Sequence, residues 1–174
     1  MKKMQKENEK LIFTVYAGLF AAMITLLTAT LHIQVGNGYI HSGDAVIFLA
    51  AAMLPLPYAV GAAAVGGMLA DLLSGYAVYA LPTFLIKGLL ALAFSRIGGE
   101  RMLCRKRVFA LIICALISVI GYWLAAVLLY GGWQAQFVGT VPGNCLQAAG
   151  SSVLYAVIAG ALERMQKKSL HITG

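Results

Sequence analysis

The stretch Asp44–Asp71, DAVIFLAAAMLPLPYAVGAAAVGGMLAD, decides how this chain is folded. No charge lies between its two aspartates, and Pro55-Leu56-Pro57 interrupts the run. Read as one helix, it leaves three apolar spans between the N-terminus and the basic stretch Arg96–Arg107. Read as two helices with a proline turn, it leaves four. Proline is a poor helix-interior residue and pushes the residue before it out of the helical region.

Charge placement chooses between the two. Of the 13 Lys and Arg, four lie in the first ten residues (Lys2, Lys3, Lys6, Lys10). Five lie between Arg96 and Arg107, three (Arg164, Lys167, Lys168) close the chain, and Lys87 stands apart. With four spans, all three clusters share one side of a bilayer, as cytoplasmic cations do. The chain therefore reads as all-α, an integral membrane bundle of six transmembrane helices with both termini cytoplasmic. A basic tail over 1–10 precedes a membrane domain over 11–165, and a second cytoplasmic tail covers 166–174. The second helix would be near a dozen residues, too short at about 1.5 Å per residue to cross the hydrocarbon core alone. It must lean on its neighbours.

Composition supports a membrane home. The chain is 61% hydrophobic and 11% charged, whereas soluble domains carry about a quarter charged residues. Lipid must cover that surface. The basic clusters are split by long apolar runs, which suits membrane flanks and does not suit a nucleic-acid surface. Cys104, Cys114 and Cys145 lack metal-binding spacing and read as free thiols. No zinc, nucleophile-elbow or phosphate-loop motif is present, so no catalytic, metal or cofactor residue is assigned.

The first span is Leu11–Leu31, and Val108–Tyr130 and Asn144–Leu162 are two later ones. Three outer loops are expected over His32–Gly43, Ser74–Leu81 and Gly131–Gly143, none with Lys or Arg. Polar residues within lipid are costly and usually functional, and here they gather toward the outer side. Tyr39, His41 and Asp44 lie around the first loop. Asp71, Tyr76 and Tyr79 lie around the second, with Lys87 in the outer half of the fourth helix. Trp133 lies in the third loop, with Asn144 and Gln147 in the first turn of the sixth helix. Together they describe a polar, aromatic cup for a small, planar, hydrogen-bonding ligand. Each also has a plainer reading. Asp44 serves equally as a helix N-cap. Asp71 and Lys87 read best as an ion pair joining two helices. The aromatics suit an interfacial belt, and His41 a solvated loop. On the first helix, Ala17 and Ala21 lie at i, i+4 beside Gly18 and Ala22, a face for close helix approach to another helix or to a partner.

The run Gly38-Tyr39-Ile40-His41-Ser42-Gly43-Asp44 and its apolar continuation resemble the second-helix entry of the substrate-binding S components of energy-coupling factor (ECF) vitamin transporters. The riboflavin-transporter-like branch is nearest. Ala70-Asp71-Leu72-Leu73-Ser74-Gly75-Tyr76 and Pro82-Thr83-Phe84-Leu85-Ile86-Lys87-Gly88 are similar to that branch too. The resemblance spans about Leu11 to Leu162. It implies an outward-facing vitamin site in a plasma-membrane protein, and three partners: a transmembrane coupling (T) component and two cytoplasmic ATPases. ATP would be used by the partners and not by this chain, and Ala17 and Ala21 would match the Ala-x-x-x-Ala docking face. The rival class is a stand-alone secondary transporter with Asp71 or Asp44 titrating a proton. A lipid-directed membrane enzyme would need more acids or histidines than the chain holds. A purely structural subunit would need no polar outer face.

Overall fold

The computed structural model describes residues 2–35, 38–99 and 101–172 of the chain, with side chains for all of these except 2, 3, 32, 34, 35, 38–40, 167 and 169–172. Six α-helices account for most of it: α1 (Lys2–Thr30), α2 (Gly43–Met53), α3 (Leu56–Leu73), α4 (Ala80–Ile97), α5 (Arg105–Tyr130) and α6 (Trp133–Ile172). All but α2 are long and apolar enough to cross a membrane. Helix α1 starts at Lys2 and α6 runs to Ile172, so the described parts of the two basic tails are helical.

The proline turn is where the sequence places it. Leu54, held before Pro55, is extended (φ −101°, ψ 153°) and closes α2, while Pro57 sits in the first turn of α3, where a missing N–H costs nothing. The short α2 is the hub of the bundle. Its residues Gly43–Ala51 are all buried, and it packs against α1, α3, α4 and α6. It meets the length problem by being enclosed in protein over Gly43–Ala51, and only at its last residue, Met53, is it about half exposed. The long helices turn their outer sides to the lipid, with Leu11, Leu85 and Ile112 each more than half exposed.

Two loops differ from expectation. His32–Gly43 is largely an antiparallel hairpin of β1 (His32–Val35) and β2 (Gly38–His41), pairing His32 with His41 and Val35 with Gly38. A hairpin satisfies its own backbone groups, which suits a segment capping a bundle at the membrane surface. The supposed loop Gly131–Gly143 shrinks to Gly131 and Gly132, both at positive φ (69° and 72°). Helix α6 begins at Trp133 and carries Pro142 inside it, a position membrane helices tolerate.

The two ends of the bundle are chemically distinct. The ring of Phe13 meets Tyr58 beside the proline turn, and Ser95 Oγ donates to the carbonyl of Ala51 at the end of α2 (3.0 Å). Leu103 N donates to Glu163 late in α6 (3.0 Å). The N-terminal helix, the proline turn, the 98–104 loop and the end of α6 thus share one face, the one with the cations. Its core is an aromatic triad: Phe48 of α2, Phe94 of α4 and Tyr155 of α6, with Tyr155 edge-on to both others. The Tyr155 hydroxyl donates to the Met102 carbonyl (2.6 Å). Arg107, read from sequence as a membrane-flanking anchor, is instead 5% exposed. It donates from Nη1 to Phe94 O (3.1 Å) and from Nη2 to Gly99 O (3.0 Å).

Candidate functional site

At the opposite end, beneath the hairpin, polar residues of all six helices and β2 converge. Lys87 of α4 reaches Asp44 of α2, with Nζ 2.6 Å from Oδ1 and both side chains almost fully buried. This corrects the sequence-based pairing of Lys87 with Asp71. Asp71 is buried on α3 and acts on the same ammonium at longer range. The N-cap reading of Asp44 also fails, because α2 begins one residue earlier at Gly43 and the carboxylate is committed to Lys87.

The other carboxylate oxygen is served by α6. Gln147 Nε2 lies 3.3 Å from Asp44 Oδ2, 2.9 Å from the His41 carbonyl and 3.1 Å from Ser151 Oγ. Its Oε1 accepts from the His41 backbone N–H at 2.7 Å. The His41 ring closes the circuit: Nδ1 accepts from Gly43 N (3.1 Å) and lies 3.3 Å from Thr28 Oγ1 of α1. Lys87 Nζ stands 5.2 Å from the centre of the Tyr122 ring of α5, and the Tyr122 hydroxyl is 3.1 Å from Thr83 Oγ1. The arrangement offers one cation, one anion, a carboxamide and an aromatic face within a few ångströms. That is a set for recognising a polar, planar molecule.

Glycines make the convergence possible. A Cβ at Gly67 would fall 2.7 Å from Lys87 Cγ, so this position in α3 leaves the channel through which the lysine stem crosses to α2. A Cβ at Gly43 would collide with Thr28 Oγ1.

The remaining candidates fall into three groups. Asn144, expected with Gln147 in a first helical turn, lies well inside α6 and donates to the Thr140 carbonyl of its own helix (2.9 Å). Tyr79 packs on Tyr130 with ring centres 6.0 Å apart. Trp133 is 58% exposed and stacks edge-on against Trp123 at 4.1 Å, in the manner of an interfacial aromatic. Tyr76 is half-buried at the turn after α3, its N–H on the Asp71 carbonyl (2.9 Å). The side chain of Tyr39 lies outside the described residues. Sequence reasoning missed Thr28, Thr83, Tyr122 and Ser151. Two of these carried a signal, since Thr83 precedes Lys87 and Ser151 follows Gln147 by four residues, one helical turn.

Ala17 and Ala21 are half-buried. Ala21 turns its backbone toward α3, where a Cβ on Gly66 would come within 2.8 Å of its carbonyl, while Gly18 and Ala22 are exposed.

A greasy bundle enclosing a charged, hydrogen-bonded cluster near its outer end defines a membrane protein that binds a substrate. The family is then direct: the model of the ECF-type riboflavin transporter S component matches residues 9–164, and the chain belongs to that family. It is a plasma-membrane transporter subunit that binds a substrate, and not an enzyme. A solved structure from a study of the S component of a bacterial ECF transporter superposes with a TM-score of 0.71, covering 92% of this chain and 99% of that one. At 21% identity this shows the shared fold. No curated protein matches the chain.

Proposed function

We propose that this chain captures a small vitamin or vitamin precursor from outside the cell and delivers it inward with a transmembrane coupling component and two ATPase subunits. The observation that carries the reading is the Asp44–Lys87–Gln147–His41 cluster, buried and joined by side-chain hydrogen bonds across three helices and β2. A carboxylate and an ammonium brought together here lose hydration worth several kcal/mol each, and mutual attraction only partly returns it. A pair retained only for stability is replaceable by apolar residues. A pair retained for a ligand is not.

The family name makes riboflavin the first ligand to test. Its fused ring and polar edges match an aromatic face beside a donor and an acceptor. Lys87, Asp44 and Gln147 would exchange bonds with each other for bonds with the ligand, and Asp71, Tyr76, Tyr79, Tyr39, His41, Asn144 and Trp133 would complete or cover the site.

The experiment separates binding from folding. Lys87→Met alone strands the Asp44 charge and should lower stability by about 3–5 kcal/mol. The double variant Asp44→Leu with Lys87→Met should recover most of that stability in detergent. Riboflavin and related vitamins are then titrated against the wild type and the folded double variant, with flavin or tryptophan fluorescence as readout. Wild-type binding with loss in the double variant is expected. Full affinity in the double variant would remove the pair from the site.

A further inference from the structure

The cationic end carries a second feature that substrate capture does not use. Between the end of α4 and the start of α5, residues 98, 99, 101 and 104–107 line an open hollow of about 780 Å³. Arg101, Arg105, Lys106 and Arg107 line it, together with Cys104 and Gly99. Arg107 forms part of its wall: two of its nitrogens hold the Phe94 and Gly99 carbonyls, its guanidinium lies 4.8 Å from the Phe94 ring centre, and its Nε is buried with no hydrogen-bond partner among the described residues. The loop is shaped to this side chain, since a Cβ at Gly98 would overlap it.

Four cations around one hollow repel one another unless an anion joins them. Among the described residues none of them forms an ion pair, the Lys87–Asp44 bridge being the only one. The carboxylate of Glu163 is bonded to the backbone N–H of Leu103. The N-terminus of α5 also opens here, adding the positive end of a helix dipole. Immediately beyond the cations, Val108, Ile112 and Leu116 form an i, i+4, i+8 stripe along α5, each more than half exposed. Charge at the boundary and an apolar track leading into the hydrocarbon is the pattern of a phospholipid, headgroup in the hollow and chain on the stripe.

We infer that the hollow between α4 and α5 is a stoichiometric site for the headgroup of an anionic phospholipid of the inner leaflet. It is distinct from the general attraction of basic loops to the membrane. The lipid's phosphate meets Arg101, Arg105 and Lys106, while the buried Arg107 holds the wall in place through the Phe94 and Gly99 carbonyls. Such a lipid would fix the α4–α5 connection, the loop that ties α4 to α6 through Leu103.

The full chain, purified in detergent, is titrated with dioleoyl phosphatidylglycerol or dioleoyl phosphatidylcholine and bound lipid counted by native mass spectrometry. One phosphatidylglycerol retained in preference to phosphatidylcholine is expected. Arg101→Gln with Arg105→Gln should weaken it by roughly fivefold per cation removed, while Lys6→Gln with Lys10→Gln should not change it. In Cys145→Ser protein, phosphatidylglycerol nanodiscs should also slow alkylation of Cys104 by a water-soluble maleimide at least severalfold relative to phosphatidylcholine. That readout needs no loop variant to fold. Equal retention of the two lipids, equal losses in both variant pairs, or unchanged Cys104 labelling would overturn the site. Competition by inorganic phosphate at matching concentration would reassign it to a free anion. Loss of assembly with partner subunits in the Arg101/Arg105 variant, with lipid retention intact, would reassign it to a protein contact.

Discussion

Gln147 does more at the candidate site than its neutral side chain suggests. Its carboxamide serves the backbone of β2 in both directions, the free oxygen of Asp44 and the hydroxyl of Ser151. Gln147→Leu would leave those groups buried without it, and each unsatisfied polar group costs about 1–3 kcal/mol. Asn144→Leu removes only a bond to the Thr140 carbonyl of its own helix. Thermal unfolding in detergent should therefore show a large loss for Gln147→Leu and a loss below about 1 kcal/mol for Asn144→Leu. The two amides look alike in the sequence, three residues apart. They differ because the rotation of α6 about its axis turns one into the bundle and leaves the other over its own backbone. The choice of Lys87's partner has the same origin. Asp71 and Asp44 are both candidates along the chain, and only the packing of α2 against α4 brings Asp44 to 2.6 Å.

At the scale of elements, α1 and α3 close on each other through small residues. Thr25 Oγ1 donates to the Gly66 carbonyl (3.0 Å), and a Cβ on Gly66 would lie 2.8 Å from Ala21 O and 3.0 Å from Ile24 Cβ. Backbone cannot move aside as a side-chain tip can. Gly66→Val should separate the helices at a cost of about 1–3 kcal/mol. Gly61→Ala, earlier on α3 with nothing within 4 Å, should be neutral or stabilising by up to about 1 kcal/mol through helix propensity. Unfolding midpoints of the pair test this. The α2–α3 break was legible because proline geometry is local. The start of α6 was not, because glycine and polar residues over 131–143 mimic a loop, and helix there is held by contacts such as Trp123 with Trp133 and Phe137.

For the molecule as a whole, the separation of a cationic end from a hydrogen-bonded end sets direction. Under the proposed function, substrate would enter from the end without cations, and the ATP-hydrolysing partners would act from the other side. The helix that would meet them is α1, whose apolar outer side includes Leu11, Val15 and Leu19, each more than half exposed. Replacing Ala17 and Ala21 together with leucine should abolish co-purification with the coupling component and the ATPases while ligand affinity stays within about twofold, since neither residue touches the buried cluster. Intact assembly in that variant would move the docking face elsewhere, with the exposed Gly18 and Ala22 the next residues to alter.

By itself the sequence determined the membrane class, the six helices, the end at which cations collect and the charged and amide residues at the centre of the polar cluster, though not Thr28, Thr83, Tyr122 or Ser151 around them. These follow from local rules: apolar length, proline geometry and the free energy of placing charge in lipid. Only the tertiary structure decided which of those residues meet. Partner choice across helices depends on how each one is rotated and how closely glycines let them approach, and residues such as Lys87 and Asp44, far apart along the chain, carry no local trace of that geometry.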